Sequence, residues 1–219
     1  MTTDRTIAFV DLAGFTALTD VHGDEAAADL VDDFTEIATI AASFAGVELV
    51  KTIGDAVMFA AVGPDRGLDA VRRLFHETFE HAGFPEPRAG IHHGPVVERR
   101  GDYFGATVNL AARVASRAGS GQALITATVL DAVTAADLDA VSLGPHRLRN
   151  VLDPVELWAI ELCATHIDIS VDPVCRMRLS CQAAVARVRY EGMEHRFCSL
   201  ECVAAFTSDP HRYLPGDPT

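Results

Sequence analysis

Cysteine is missing from the first 162 residues of this 219-residue chain, and long apolar runs and any surplus of cations are missing from the whole of it. The longest uninterrupted apolar run, Ala56 to Val62, is far too short to span a bilayer. The N-terminus, Met1-Thr2-Thr3-Asp4-Arg5, passes directly into a strand-like run with neither a basic region nor an apolar h-region. A cytoplasmic protein with no membrane partner is expected. Lys and Arg number 18 against 31 Asp and Glu, a net charge of −13. Split after Leu162, the first part carries 12 − 24 = −12 and the second 6 − 7 = −1. Such a surface excludes nucleic acid as a partner, because displacing its counterions needs a cationic face, and a small anion must be gripped by local cations. The sequence has neither a repeat nor a low-complexity tract.

What is present is apolar enough, at 49% hydrophobic residues, to bury a real core. All five cysteines, Cys163, Cys175, Cys181, Cys198 and Cys202, fall after the point where the charge changes, so two units are expected. An odd count without an export signal argues against a disulfide framework and for thiolates that act as metal ligands or redox groups.

Thr6–Leu12 alternates and is rich in β-formers, and Asp24–Phe44 places Leu30, Phe34, Ile37, Ala41 and Phe44 on one helical stripe, a core or dimer surface. Val47–Ile53 and Ala56–Val62 are strand-like runs joined by Gly54-Asp55, which suits a tight hairpin with positive φ. A helix is predicted over residues 66–81, stopped by Gly83 and Pro85, then a strand through Arg88–Ile91. The resulting β-α-β-β-α-β order is a ferredoxin-like, split βαβ arrangement of the α/β (α+β) class, with helices on one face of the sheet. Further along, residues 106–118 read as a helix closed by Gly119, and residues 122–126 and 156–160 as strands that extend the sheet. The first domain is set at 1–162, a connector at 163–171 and a small second unit at 172–219. A unit that small commonly needs a metal or a partner surface.

Three places carry the chemistry. Asp11 closes the first strand, Asp55 occupies the hairpin turn, and Gly101 to Arg113 puts Asp102, Asn109 and Arg113 around one turn and the helix after it. Carboxylates converging on a sheet edge suit Mg²⁺ or Mn²⁺, and two such ions favour in-line phosphoryl or nucleotidyl transfer. A single Asp after a strand is more often a turn cap. Together, Phe9 to Thr16, Lys51 to Asp55 and Gly101 to Arg113 resemble the class III adenylate and guanylate cyclase catalytic domain, a palm-type fold, over about residues 5–162.

That resemblance implies the following roles. Asp11 and Asp55 hold two Mg²⁺ or Mn²⁺ ions per active site. Lys51 and Asp102 read adenine, since a carboxylate accepts from the 6-amino group where guanine presents a carbonyl. Asn109 orients the ribose, and Arg113, one helical turn on, stabilises charge growing on the α-phosphate. Arg88 and Arg149 lie where the family has cations for the outer phosphates, with Asn150 standing where the family usually carries Gly. A homodimer with composite sites would convert ATP to cyclic AMP and pyrophosphate. The rivals are a guanylate cyclase, opposed by Lys51 and Asp102, and a catalytically silent sensor, opposed by intact Asp11, Asp55, Asn109 and Arg113. His92 and His93 lack partners at ligand spacing and read as packing or surface residues.

In the tail, Asp172 to Met177, Phe197 to Cys202, Phe206 and Asp209 to Tyr213 resemble the YHS domain, a metal-associated module that usually carries Gly where Arg176 stands. Cys198 and Cys202, four apart, face one way on a helix, and a hairpin can bring Cys175 to them. Three thiolates suit Zn²⁺ or copper, with His195 or Cys181 as a fourth ligand, or else are buried free thiols. A module that senses metal or redox state in this way would tune the cyclase.

Overall fold

The first strand extends beyond its sequence signal: β1 runs Thr2–Leu12 in the computed structural model, which describes residues 2–81, 83–162, 169–180 and 183–214. Its side chains alternate between two apolar clusters, Ala8, Val10 and Leu12 in one and Ile7 in the other, so both faces of the sheet are covered. β1 is central, antiparallel to β3 (Ala56–Ala61) on one side and to β4 (Pro87–Arg99) on the other. The remaining strands are β2 (Glu48–Ile53), β5 (Asp102–Phe104), β6 (Gln122–Thr126), β7 (Val141–His146) and β8 (Val155–Glu161). The sheet order is β2-β3-β1-β4-β6-β8-β7, with β5 paired to the end of β4.

After β1 come α1 (Phe15–His22) and α2 (Asp24–Ala45), and between β3 and β4 comes α3 (Pro64–Glu80). α2 and α3 cover the face of Ala8 and Val10, burying Phe34, Ile37 and Ala41 against Val71, Leu74 and Phe75. The βαββαβ unit therefore has its two long helices on one face, as its periodicity predicts. Phe44 departs from the expected stripe: it is 71% exposed, with the Arg73 guanidinium 4.7 Å above its ring. α4 (Ala106–Ala115) takes the opposite face, packing Ala111 on Ile7, Met58 and Val96. It approaches so closely that a Cβ added at Gly90 of β4 would lie 2.0 Å from the Ala115 nitrogen, so only glycine fits there. α4 ends three residues short of Ala118, the expected limit.

A short α5 (Leu130–Ala135) precedes β7. The tail holds two hairpins, β9 (Ile169–Val171) with β10 (Arg178–Ser180) and β11 (Ala186–Tyr190) with β12 (Met193–Phe197), followed by α6 (Leu200–Ser208). Residues 169–171, placed in the connector by sequence, thus form a paired strand. The small tail core, Val174, Cys175, Phe197, Cys202 and Phe206, is completed by Leu18 of α1 and Ala27 of α2. It borrows the apolar surface that so short a segment lacks. Arg178 fastens the other side: nearly buried, it donates to the Phe79 carbonyl at 3.0 Å and lies 3.7 Å over the Phe79 ring. Its backbone nitrogen donates to the Phe84 carbonyl at 3.1 Å.

Candidate active site

Strand register brings the two aspartates together. Asp11 lies opposite Arg88 on β4 and opposite Ala56 on β3, the residue that follows Asp55. The β2–β3 hairpin closes through Gly54 and Asp55 with a positive φ of 61° at Gly54 only, the type II′ pattern that suits the twist of a two-residue loop. Arg88 donates Nε to Asp11 Oδ1 at 2.5 Å and Nη2 to Oδ2 at 3.0 Å, a bidentate pair. Burial pushes the Asp55 carboxyl above its ordinary range, and the negative charge of Asp11 adds to that, while its own backbone amide and Arg88 oppose it. The Arg88 guanidinium thus bonds Asp11 and acts on Asp55 through its charge. The expectation for Arg88 was a cation aimed at the outer phosphates, whereas in this structure it neutralises Asp11. Hard oxygen donors at a strand end and a turn fit Mg²⁺ or Mn²⁺.

A second charged pair forms where β2 meets β5. Lys51, the single lysine of the chain, donates to both Asp102 oxygens at 2.7 Å, with about a third of each side chain exposed (34% and 30%). The Lys51 ammonium holds the Asp102 carboxyl below its ordinary range. A register shift between Leu49 and Lys51 re-aims the strand at this point. The Tyr103 hydroxyl ties β5 to β2 by donating to Glu48 at 2.9 Å, and the Tyr103 amide donates to Asp102 Oδ1 at 2.8 Å. An acceptor and a donor therefore stand side by side, partly open, as a base edge would need them.

Asn109 is exposed and Arg113 half-buried on α4, and neither side chain has a hydrogen-bond partner among the described residues. Arg149 is exposed beside Asn150, whose φ of 63° keeps the left-handed conformation that Asn tolerates. Among the described residues no hydrogen bond or ion pair joins Asp11 or Asp55 to Lys51, Asp102, Asn109 or Arg113. His92 Nδ1 sits 2.7 Å from the Thr126 hydroxyl and His93 Nδ1 2.9 Å from that of Thr6, the packing role their spacing implies. Burial, helped by His93, lowers the His92 pKa to about 4.

Outside these pairs, the three tail cysteines meet. Cys175 and Cys198 sulfurs are 3.5 Å apart and those of Cys198 and Cys202 3.6 Å. His22, the last residue of α1, brings Nε2 to 3.5 Å from Cys198 Sγ and 3.7 Å from Cys202 Sγ, and all four ligand atoms lie within 4.8 Å of one another. Interaction with the neighbouring Cys175 and Cys198 thiols pushes the Cys202 thiol below its ordinary range. Asp172, fully buried, organises the cluster by accepting the amides of Val174 at 2.8 Å, Cys175 at 3.4 Å and Cys198 at 2.8 Å. Of the two fourth ligands expected from sequence, His195 lies outside the cluster, its ring packed 5.2 Å from that of Phe206, and Cys181 lies outside the described residues. No spacing signal links His22 to cysteines so far downstream; only the fold does.

Among the described residues no helix is long and apolar enough to cross a membrane. The family model for the YHS domain matches residues 170–217. A pH-sensitive adenylate cyclase of Mycobacterium tuberculosis is 37% identical over 164 residues, covering 73% of this chain and 41% of the relative. An adenylate cyclase of Streptomyces coelicolor is 42% identical over 126 residues, covering 56% and 32%. The chain thus spans about two-fifths or less of the length of these curated relatives. Among solved structures, the adenylyl cyclase CyaB of P. aeruginosa superposes with a TM-score of 0.63 at 22% identity, covering 78% of this chain and 98% of its own. An adenylate cyclase from Trypanosoma brucei, solved in its monomeric state, gives a TM-score of 0.66 at 25% identity, covering 74% and 89%. The family model for the adenylate and guanylate cyclase catalytic domain matches residues 2–161, and with this sheet and these relatives the chain belongs to that family.

Proposed function

We propose that the chain is an adenylate cyclase that converts ATP to 3′,5′-cyclic AMP and pyrophosphate at composite sites of a cytoplasmic homodimer. The observation that carries this reading is the Lys51–Asp102 pair, whose donor and acceptor match adenine and mismatch the carbonyl of guanine. Relatives named adenylate cyclase point the same way. The organisation proposed is a catalytic domain at 1–162, a short connector, and a YHS-like unit that begins with the strand at residue 169.

Asp11 and Asp55 would hold two Mg²⁺ or Mn²⁺ ions; bound ions of this kind lower the pKa of an attacking hydroxyl and offset charge on a leaving phosphate. The chain's own residues position the rest. Asn109 holds the ribose so that its 3′-oxygen lies in line with the α-phosphorus, and Arg113 faces the charge growing on the α-phosphate oxygens. Arg88 and Arg149 serve the outer phosphates, Arg88 after leaving Asp11. Each site would draw the aspartates from one protomer and the adenine and ribose residues from its partner, the division that the family resemblance implies. Ile53 beside the Asp55 turn is 55% exposed and Phe104 beside Asp102 50% exposed, apolar surface next to both half-sites that supports closure by a second copy. In the tail, Cys175, Cys198 and Cys202 supply soft donors that fit Zn²⁺ or copper.

Turnover of ATP and GTP by the same preparation tests the reading, with Asp55→Ala as control. ATP should dominate and the variant should lose cyclic AMP formation while keeping its fold. Faster GTP turnover would refute the adenine assignment.

A further inference from the structure

The tail grips α1 along its length. At the start, the Arg176 stem lies against Gly14; in the middle, Leu18 is buried among tail residues; at the end, His22 reaches the sulfur cluster. α1 begins at Phe15, four residues after Asp11.

The donor separations fit one ion. A tetrahedral Zn²⁺ with Zn–S of about 2.3 Å and Zn–N of about 2.05 Å requires S···S edges of about 3.8 Å and S···N edges of about 3.6 Å. Four of the six edges, S···S distances of 3.5 and 3.6 Å and S···N distances of 3.5 and 3.7 Å, fall within about 0.3 Å of those values, and the two edges from Cys175 to Cys202 and to His22 are no longer than 4.8 Å. The surroundings also hold the ligands in place: Asp172 fixes the amides of Cys175 and Cys198, and Ser199 caps α6 by accepting the Cys202 amide at 3.1 Å. Three thiolates and one imidazole form a closed, structural type of site with no position left for substrate.

We propose that His22 of the catalytic unit completes, with Cys175, Cys198 and Cys202, a four-coordinate site for a Zn²⁺-like ion that staples the tail to α1. The tail cysteines then do more than hold an ion within their own module. Ion occupancy decides how firmly the helix following Asp11 is held, so loss of the ion frees α1 at its His22 end. This inference rests on the reading of the tail as metal-binding, and the variants below separate the two.

The test uses the full chain and Zn²⁺ as the probe. X-ray absorption of the Zn²⁺-loaded protein should show three sulfurs and one imidazole nitrogen around the ion. His22→Ala should weaken Zn²⁺ binding, measured by chelator competition, by at least about 10-fold, since losing even a residue that only orients a ligand costs about that much. It should also abolish the Zn²⁺-dependent slowing of hydrogen exchange across residues 15–22. His22→Gln, which preserves helix and size, guards against a folding artefact and should behave alike. Full affinity and an unchanged spectrum in both His22 variants, with binding lost in the Cys198→Ser, Cys202→Ser double variant, would overturn the staple and leave the tail-metal reading standing. A wild-type chain that binds no Zn²⁺, or a site of four sulfurs, would overturn the staple outright.

Discussion

Replacing Gly14 by Ala perturbs the contact between tail and catalytic unit at a single carbon. Gly14 has a φ of 76°, and an added Cβ would lie 2.4 Å from Arg176 Cγ and 3.1 Å from Arg176 Cβ. The left-handed backbone costs an alanine about 1 kcal/mol. Restoring normal contact demands a shift of the Arg176 stem by about 1 Å, and overpacking of this kind costs about 1–3 kcal/mol. The stem has little freedom to yield, because Arg176 itself sits at a φ of 62°, next to Cys175 and its Asp172-bound amide. The sum, about 2–4 kcal/mol, should appear as opening of the docked tail rather than of the sheet. Hydrogen exchange resolved by peptide is the suitable assay: residues 15–22 and 186–206 should exchange at least about 30-fold faster, while β1 and β4 keep their rates. Arg176→Gly on the Gly14→Ala background removes the collision and the strained arginine together, leaving a penalty of about 1 kcal/mol. Tail exchange unchanged within about two-fold in Gly14→Ala, or a double variant no better than the single, would refute the docking geometry.

Two further outcomes follow from buried polar groups. Asp172→Ala leaves three backbone amides without their acceptor, a loss of about 3 kcal/mol that should speed exchange at Val174, Cys175 and Cys198 by about 100-fold without touching the central strands. His92 is neutral in the fold, with its pKa lowered to about 4 from 6.5, so the folded state binds fewer protons than the unfolded state between those values. The contribution of His92 to stability is therefore full above pH 6.5 and lost as pH falls toward 4. Between pH 7.5 and 5 thermal melts should show a loss of about 1 kcal/mol, half the full linkage value because the ring is partly exposed, and His92→Gln should abolish that pH dependence.

Much of the sheet was legible because its strands and long helices obey simple periodicities. Gln122–Thr126 matches its predicted limits, and the Gly54-Asp55 turn forms where dipeptide chemistry puts it. α1 escaped because its apolar residues, Phe15, Leu18 and Val21, turn toward the tail, so an eight-residue helix carries a stripe for a partner the sequence cannot locate. β5 and β7 escaped because they are short or mostly exposed and lack alternation. For the charged residues, Asp11 and Asp55 follow from strand ends and turns, but the Arg88–Asp11 pair depends on register across β1 and β4, which local pattern does not specify. His22 stands furthest from sequence reasoning, since its position beside the sulfurs arises from tertiary packing between two units.

The division of each catalytic site between two protomers is the central claim, and subunit complementation measures it directly. Asp55→Ala and Arg113→Ala proteins should each be inactive alone. Mixed in equal amounts and allowed to exchange subunits, they should regain about a quarter of wild-type cyclic AMP synthesis, because half the dimers are mixed and each mixed dimer rebuilds one of its two sites. Mixtures that form mixed dimers yet stay inactive would contradict the account.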